Sequence, residues 1–194
     1  MGAHEGWVLG TVFGGDSKRV VSVGRDRAAK LTDAQSGAFL ENVNMLRGEL
    51  AAIARSPLTE IVVIGGEERI PYVYLMDRRK NMKIADDTTL IRKLDRQNGA
   101  IASLAWSPDG RRIAVGGAAP EVNVYDAETG ERVAQCQGHT AGIYTLAFSP
   151  DSSALAAAGF DGTVRLYDVA SGKLNKAFAP VPLEKAAVET GGSR

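Results

Sequence analysis

The sequence predicts an all-β chain: four four-stranded antiparallel sheets strung in series, with no helix. Three observations predict it. Apolar residues come in short alternating runs of strand length, not at helical spacing. Turn residues separate the runs, with Ser-Pro-Asp and Asp-Gly pairs between β-rich segments. The pattern also repeats. Trp106-Ser107-Pro108-Asp109 recurs as Phe148-Ser149-Pro150-Asp151, and Tyr125-Asp126 as Tyr167-Asp168, 42 positions on. Ser56-Pro57 and Val73-Tyr74 recur 51 positions on, and Gly24 and Leu31 return 42 positions on as Gly66 and Val73. Four units result, about 3–46, 47–96, 97–137 and 138–179, and one carries nine extra residues. Residues 180–194 are expected to form a disordered tail, because Pro180 and Pro182 cannot donate to a sheet ladder.

The first unit predicts strands over 7–13, 19–23, 28–31 and 39–43. Its turns, Gly14-Gly15-Asp16-Ser17 and Arg25-Asp26-Arg27, lack the proline and the glycine of the later units. The second predicts strands over 50–55, 61–65, 70–75 and 90–94. Its extra residues, 76–89, read MDRRKNMKIADDTT, a charged loop between the third and fourth strands with a basic half and an acidic half. The third predicts strands over 101–106, 112–117, 122–125 and 132–136, around the turn Ser107-Pro108-Asp109-Gly110. The fourth is the clearest, with strands over 143–148, 154–159, 163–167 and 174–178. Proline at the second position of a type I turn pre-sets φ, and Asp161-Gly162 is a tight-hairpin signal.

Composition narrows the function classes. Of the 194 residues, 44% are hydrophobic and 24% charged, as in an ordinary soluble protein, and the formal net charge is zero. Nothing global points to nucleic acid or to a membrane surface, and neither is expected as a partner. No run of 18 apolar residues exists and the N-terminus lacks the regions of a signal peptide, so a cytoplasmic location is expected. The single cysteine, Cys136, has no disulfide or zinc partner and reads as a small buried residue on an outer strand. Asp33, Asp126 and Asp168 each open an Asp-x-x-(Ser/Thr)-Gly turn. Bonding of the carboxylate to its own turn backbone accounts for them better than a metal does. No calcium loop, zinc spacing or phosphate loop appears, so no metal and no cofactor are expected.

A period in the low forties with four strands per unit resembles the WD-repeat (tryptophan–aspartate repeat) β-propeller family. Gly138-His139, the Ser-Pro-Asp turns, Asp161-Gly162 and the terminal Tyr167-Asp168 carry the resemblance, over about residues 3–179. The resemblance implies a network in which a histidine before the first strand, a Ser or Thr on the second, the aspartate of the second turn and the aromatic ending the third strand satisfy one another. It falls on His4, Ser22 and Asp26 in unit 1 and on His139, Asp161 and Tyr167 in unit 4. Ala157 replaces the serine of unit 4, Thr32 the aromatic of unit 1, and Leu46, Glu68 and Gln97 stand at network positions of units 2 and 3. His4, Ser22 and Asp26 are also the residue types of a hydrolase triad. The matching register of His139 and Asp161 makes structural use the economical account, and no catalytic residue is expected.

The resemblance implies a non-catalytic module that holds a protein partner on loops before the first strand and between the second and third. Candidate residues on that face are Trp7, Arg25, Arg27, Glu67, Arg69, Asn98 and Phe160. Rings of the family usually have seven or eight blades, and four are present here. The chain is therefore expected to be a half propeller that pairs as a homodimer into an eight-bladed ring, or a fragment of a longer WD-repeat protein. A metal-dependent propeller hydrolase is the least favoured reading, because the innermost strands carry no carboxylate.

Overall fold

The computed structural model describes residues 4–44, 48–77 and 87–180. Sixteen strands form four antiparallel sheets, and no helix occurs among the described residues. Blade 1 comprises β1 (Val8–Phe13), β2 (Arg19–Gly24), β3 (Ala29–Asp33) and β4 (Phe39–Asn42), and blade 2 comprises β5 (Leu50–Arg55), β6 (Ile61–Gly66), β7 (Tyr72–Leu75) and β8 (Leu90–Lys93). Blade 3 is β9 (Ile101–Trp106), β10 (Arg112–Gly117), β11 (Val122–Asp126) and β12 (Arg132–Cys136); blade 4 is β13 (Ile143–Phe148), β14 (Ala154–Gly159), β15 (Val164–Asp168) and β16 (Leu174–Phe178). Each blade is a simple meander in chain order. The strand expected over 70–75 begins at Tyr72, since Pro71 has no N–H to give a ladder. Most of the charged insertion (78–86), Leu46 and the tail from 181 onward lie outside the described residues.

Alternation places every second side chain of a strand on one sheet face. The cores therefore lie between blades. Val21, Val23, Ala29, Leu31 and Val43 on the trailing face of blade 1 pack with Leu50, Val62, Ile64, Tyr72, Tyr74 and Met76 on the leading face of blade 2. Ala52, Ala54, Val63, Val73 and Leu94 meet Ile101, Leu104, Ile113, Val115 and Tyr125 at the next junction. Ala114, Val122, Val124, Ala134 and Cys136 meet Ile143, Leu146, Leu155, Ala157, Tyr167 and Val169 at the third. Inner strands β1, β5, β9 and β13 run side by side, and no comparable packing joins β13 back to β1. The four blades form an open arc. Residues 9–11, 51–53 and 102–104 of the inner strands line a cavity of about 210 Å³ on its concave side.

One irregularity recurs at the repeat period. Pairing between the first and second strands slips at Leu9, Ala51, Ala102 and Tyr144, a bulge in every blade. The carbonyl two residues before each bulge lies against the end of the second strand. That strand ends in glycine each time, at Gly24, Gly66, Gly117 and Gly159. A Cβ at Gly66 or Gly117 would lie 1.9 Å from the carbonyl oxygen of Glu49 or Ala100. The Asp-x-x-(Ser/Thr)-Gly turns behave as turn braces: Asp33 Oδ1 accepts from Ser36 N, Asp126 Oδ1 from Thr129 N, and Asp168 Oδ1 from Ser171 N.

Candidate interaction face and its polar supports

One edge of the arc is built from the loops entering each first strand and the turns between second and third strands. A repeated backbone bond ties the two loops together. Arg25 N donates to Trp7 O, Glu67 N to Glu49 O, Ala118 N to Ala100 O and Phe160 N to Gly142 O.

Polar side chains brace the same loops from beneath. In blade 1, His4 Nδ1 lies 2.8 Å from Asp26 Oδ1 and Nε2 lies 2.8 Å from Ser22 Oγ. The carboxylate accepts only, so Nδ1 carries the proton and Nε2 accepts from the serine. Asp26 also accepts from the N–H groups of Glu5 and Ala28, and Lys30 Nζ stands 3.8 Å away. Burial of Asp26 opposes its charge, but the His4 ring and those N–H groups outweigh it and hold the carboxyl below its ordinary range.

Blade 4 uses the same positions. His139 Nδ1 is 3.0 Å from Asp161 Oδ2, and Thr140 N and Thr163 N donate to the same carboxylate. Arg165, at the register of Lys30, reaches Asp161 Oδ2 at 2.6 Å and His139 Nδ1 at 2.8 Å. Here too burial opposes ionisation, and the N–H groups of Thr163 and Thr140 with Arg165 and His139 prevail, holding the Asp161 carboxyl down at about 2. Burial pushes the His139 pKa below the ordinary histidine value against the pull of Asp161. Its Nε2 is buried with no side-chain partner, because Ala157 stands where blade 1 has Ser22. Tyr167 does not bond to the imidazole. Its ring packs 6.4 Å from that of His139 and its hydroxyl donates to Gln137 O.

Blades 2 and 3 do not rest on apolar packing alone; each carries a substitute brace. In blade 2, Tyr72 Oη donates to Glu68 Oε2 at 2.8 Å, across the turn that Asp26 and Lys30 span in blade 1. In blade 3, Gln97 takes the histidine position and donates to Tyr125 Oη. Asn123 Nδ2 donates to Gln97 Oε1 at 2.8 Å, and Gln135 Nε2 donates to Asn123 Oδ1. Sequence reasoning missed Lys30, Tyr72, Asn123 and Arg165. The available signal was their common register, four residues after the second-turn position.

Above the braces, Trp7 is 69% exposed with the Arg25 guanidinium 4.5 Å over its ring, and Arg25 Nε stands 3.8 Å from Glu49 Oε2 of the next blade. Arg27 and Arg69 occupy one repeat position and both hold left-handed φ, +68° and +66°, where blade 4 has Gly162 at +70°. Glu67 is exposed, and Asn98 Nδ2 donates to Glu121 Oε1. At the far end Phe160, 75% exposed, makes an edge-on contact with the bulge residue Tyr144 at 5.1 Å. The seven expected face residues are thus spread along one rim. The structure joins Trp7 to Arg25 and adds Glu49 and Tyr144.

Among the described residues no three His, Cys, Asp or Glu side chains converge as metal ligands. Burial pushes the Cys136 thiol up to about 12, so it is not a thiolate at neutral pH.

Two family models match. The WD domain, G-beta repeat model matches residues 130–168, and the Anaphase-promoting complex subunit 4 WD40 domain model matches residues 73–145. The first match begins just before β12 and ends with β15, so the sequence repeat is offset from the structural blade by one strand. The four bulged, four-stranded sheets in shared register, together with the two matched stretches, support a WD-repeat β-propeller family for the chain.

Proposed function

We propose that the chain is a non-catalytic protein-interaction module that holds its partner on the rim carrying Trp7, Arg25, Arg27, Glu67, Arg69, Asn98 and Phe160. The observation that carries this reading is the bracing beneath the rim. Each blade spends buried or half-buried polar groups on fixing one or both of the loops that bear these residues, which pre-organises a contact surface. Aromatic and arginine side chains held on rigid loops are the groups that dominate protein interfaces. His4, Ser22 and Asp26 share the hydrogen-bond pattern of a triad, but the same His–Asp pair recurs in blade 4 with Ala157 at the serine position, which supports a brace. Affinity capture with the intact chain tests the proposal. Arg25→Glu with Arg27→Glu should abolish recovery of the partner, and Lys173→Glu, in the turn before β16, should leave it intact. Equal recovery by both variants would remove the rim from the reading.

The open arc favours a second, architectural reading. The four blades are part of a larger ring, completed by a second copy or by further blades of a longer polypeptide. The leading face of blade 1 and the trailing face of blade 4 both lack the cover that every internal face has.

A further inference from the structure

The two end faces can be compared residue by residue with the internal junctions. On the leading face of blade 1, Val8 is 52% exposed, whereas its equivalents Leu50, Ile101 and Ile143 are 6%, 2% and 1% exposed. Phe13, the equivalent of half-buried Trp106 and Phe148, is exposed. On the trailing face of blade 4, Ala156, Val164, Leu166 and Phe178 repeat the positions of Ala114, Val122, Val124 and Cys136. Those four are fully buried under blade 4, while their blade 4 equivalents are half-buried or exposed. Beside the inner strands of the third junction the trailing face offers small residues, Ala105, Ala114 and Gly116, and the leading face larger ones, Ile143, Phe148 and Leu155. Ala147, Ala156 and Ala158 of blade 4 and Val8, Phe13 and Val20 of blade 1 keep that division.

Two finer registers match as well. At the third junction Asp109 N donates to Ser152 Oγ at 3.1 Å, with Ser152 held at φ +62°. The same positions on the open faces are Asp151 and Ser17, and Ser17 already holds φ +58°. At the first junction Arg25 of one blade meets Glu49 of the next, 3.8 Å apart. The same pair of positions across the open ends is Phe160 and Trp7, the two most exposed aromatic side chains of the rim.

We propose that the trailing face of blade 4 seats the leading face of blade 1 of a second copy of this chain. Two such junctions, related by a two-fold axis, close an eight-bladed ring in which Trp7 of one copy packs on Phe160 of the other. The proposal rests on the part-ring reading above; in the ring Trp7 and Phe160 pack on each other across the junctions, and Arg25, Arg27, Glu67, Arg69 and Asn98 are the rim residues left to a partner. Eight blades lie within the range of propeller rings. A two-fold pair of head-to-tail contacts closes, so assembly stops at two copies. Net charge of zero sets no overall repulsion between copies. Thr11, Ser22, Lys30 and Thr32 make the leading face of blade 1 more polar than Ile53, Ile64, Tyr72 and Tyr74 make that of blade 2. A face of that kind tolerates water, and the ring is therefore a concentration-dependent dimer.

Sedimentation equilibrium of the full chain across the micromolar range tests this. The expected result is a mass that rises to two chains and stops. Ala156→Glu and Val8→Glu should each give single chains with the parent's circular dichroism, and mixing the two should restore a two-chain species, because one junction is then intact. Ser17→Gly removes the hydroxyl while relieving a left-handed φ. It should melt no lower than the parent yet weaken association about five-fold per junction. Phe160→Ala should weaken it two- to ten-fold per junction, with no further loss from adding Trp7→Ala. A two-chain species that survives Val8→Glu, or assemblies that grow past two chains, would overturn the proposal. Single chains at every concentration would also overturn it. In that case binding of a dye for exposed apolar surface leaves the part-ring reading standing, and no dye binding removes both.

Discussion

His139 and Asp161 lie 3.0 Å apart through Nδ1, and the other nitrogen of the same ring is buried with no side-chain partner. Blade 1 shows what is missing, since Ser22 Oγ sits 2.8 Å from His4 Nε2 at the register of Ala157. A hydroxyl donates or accepts, so it satisfies Nε2 in either tautomer. Ala157→Ser should stabilise the chain by about 1 kcal/mol, and Ser22→Ala should cost a similar amount, read as thermal midpoints moving in opposite directions. His139→Ala, which leaves Asp161 short of a partner, should cost on the order of 1–2 kcal/mol. A melting curve unchanged by His139→Ala would count against the brace.

The brace also sets an acid dependence. Asp161 titrates at about 2 in the folded chain against an ordinary 3.8. A depressed carboxylate contributes stability that is present above 3.8 and lost as pH falls toward 2. His139, lowered from 6.5 by burial, must charge as pH falls below that value, so it too withdraws stability on acidification. Urea midpoints measured from pH 7 to 2 should therefore fall in two stages. Asp161→Asn should make the lower stage shallower, leaving the share of other carboxylates held low such as Asp26 and Asp151, and His139→Gln should flatten the upper one. Parallel curves for parent and Asp161→Asn would show that the carboxylate is not held by these partners.

Much of this architecture was legible in the sequence, for a physical reason. Strand side chains alternate with a period of two, and the turns need particular residues, so strands such as β5, β9, β10 and β13 fall where alternation and turn chemistry put them. The His4–Asp26 and His139–Asp161 pairs were legible because both blades kept the residue types. The Glu68–Tyr72 and Gln97–Asn123 braces were not, because the same geometric task was handed to other chemistry. The bulges were hidden for a different reason. Leu9, Ala51, Ala102 and Tyr144 share no side-chain property, since the feature belongs to the backbone. Its trace is the glycine that faces it.

That glycine gives a sharp test. Gly117 faces the Ala100 carbonyl across the bulge, and a Cβ placed there would meet the oxygen at 1.9 Å. Backbone, unlike the end of a flexible side chain, cannot step aside cheaply. Gly117→Ala should cost about 3 kcal/mol and lower the thermal midpoint, whereas Gly162→Ala, with nothing near its Cβ, should cost only about 1 kcal/mol from its left-handed φ. Equal penalties at the two positions would mean that the bulge relaxes.

Arg27 and Arg69 pose the opposite problem. Both hold a left-handed φ that disfavours a Cβ, at a turn position where blade 4 uses glycine. Neither needs its side chain to form the turn, because the closing bonds are backbone bonds, Arg27 N to Gly24 O and Arg69 N to Gly66 O. A guanidinium kept at a strained position is a cost to folding that function can repay. Arg27→Gly and Arg69→Gly should each raise stability by up to about 1 kcal/mol, since glycine adopts this φ freely. If the rim holds the partner, the same substitutions weaken binding, so stability and affinity move in opposite directions. Melting curves beside partner titrations separate the cases: a stabilised variant that binds as well as the parent would take these two arginines out of the interface.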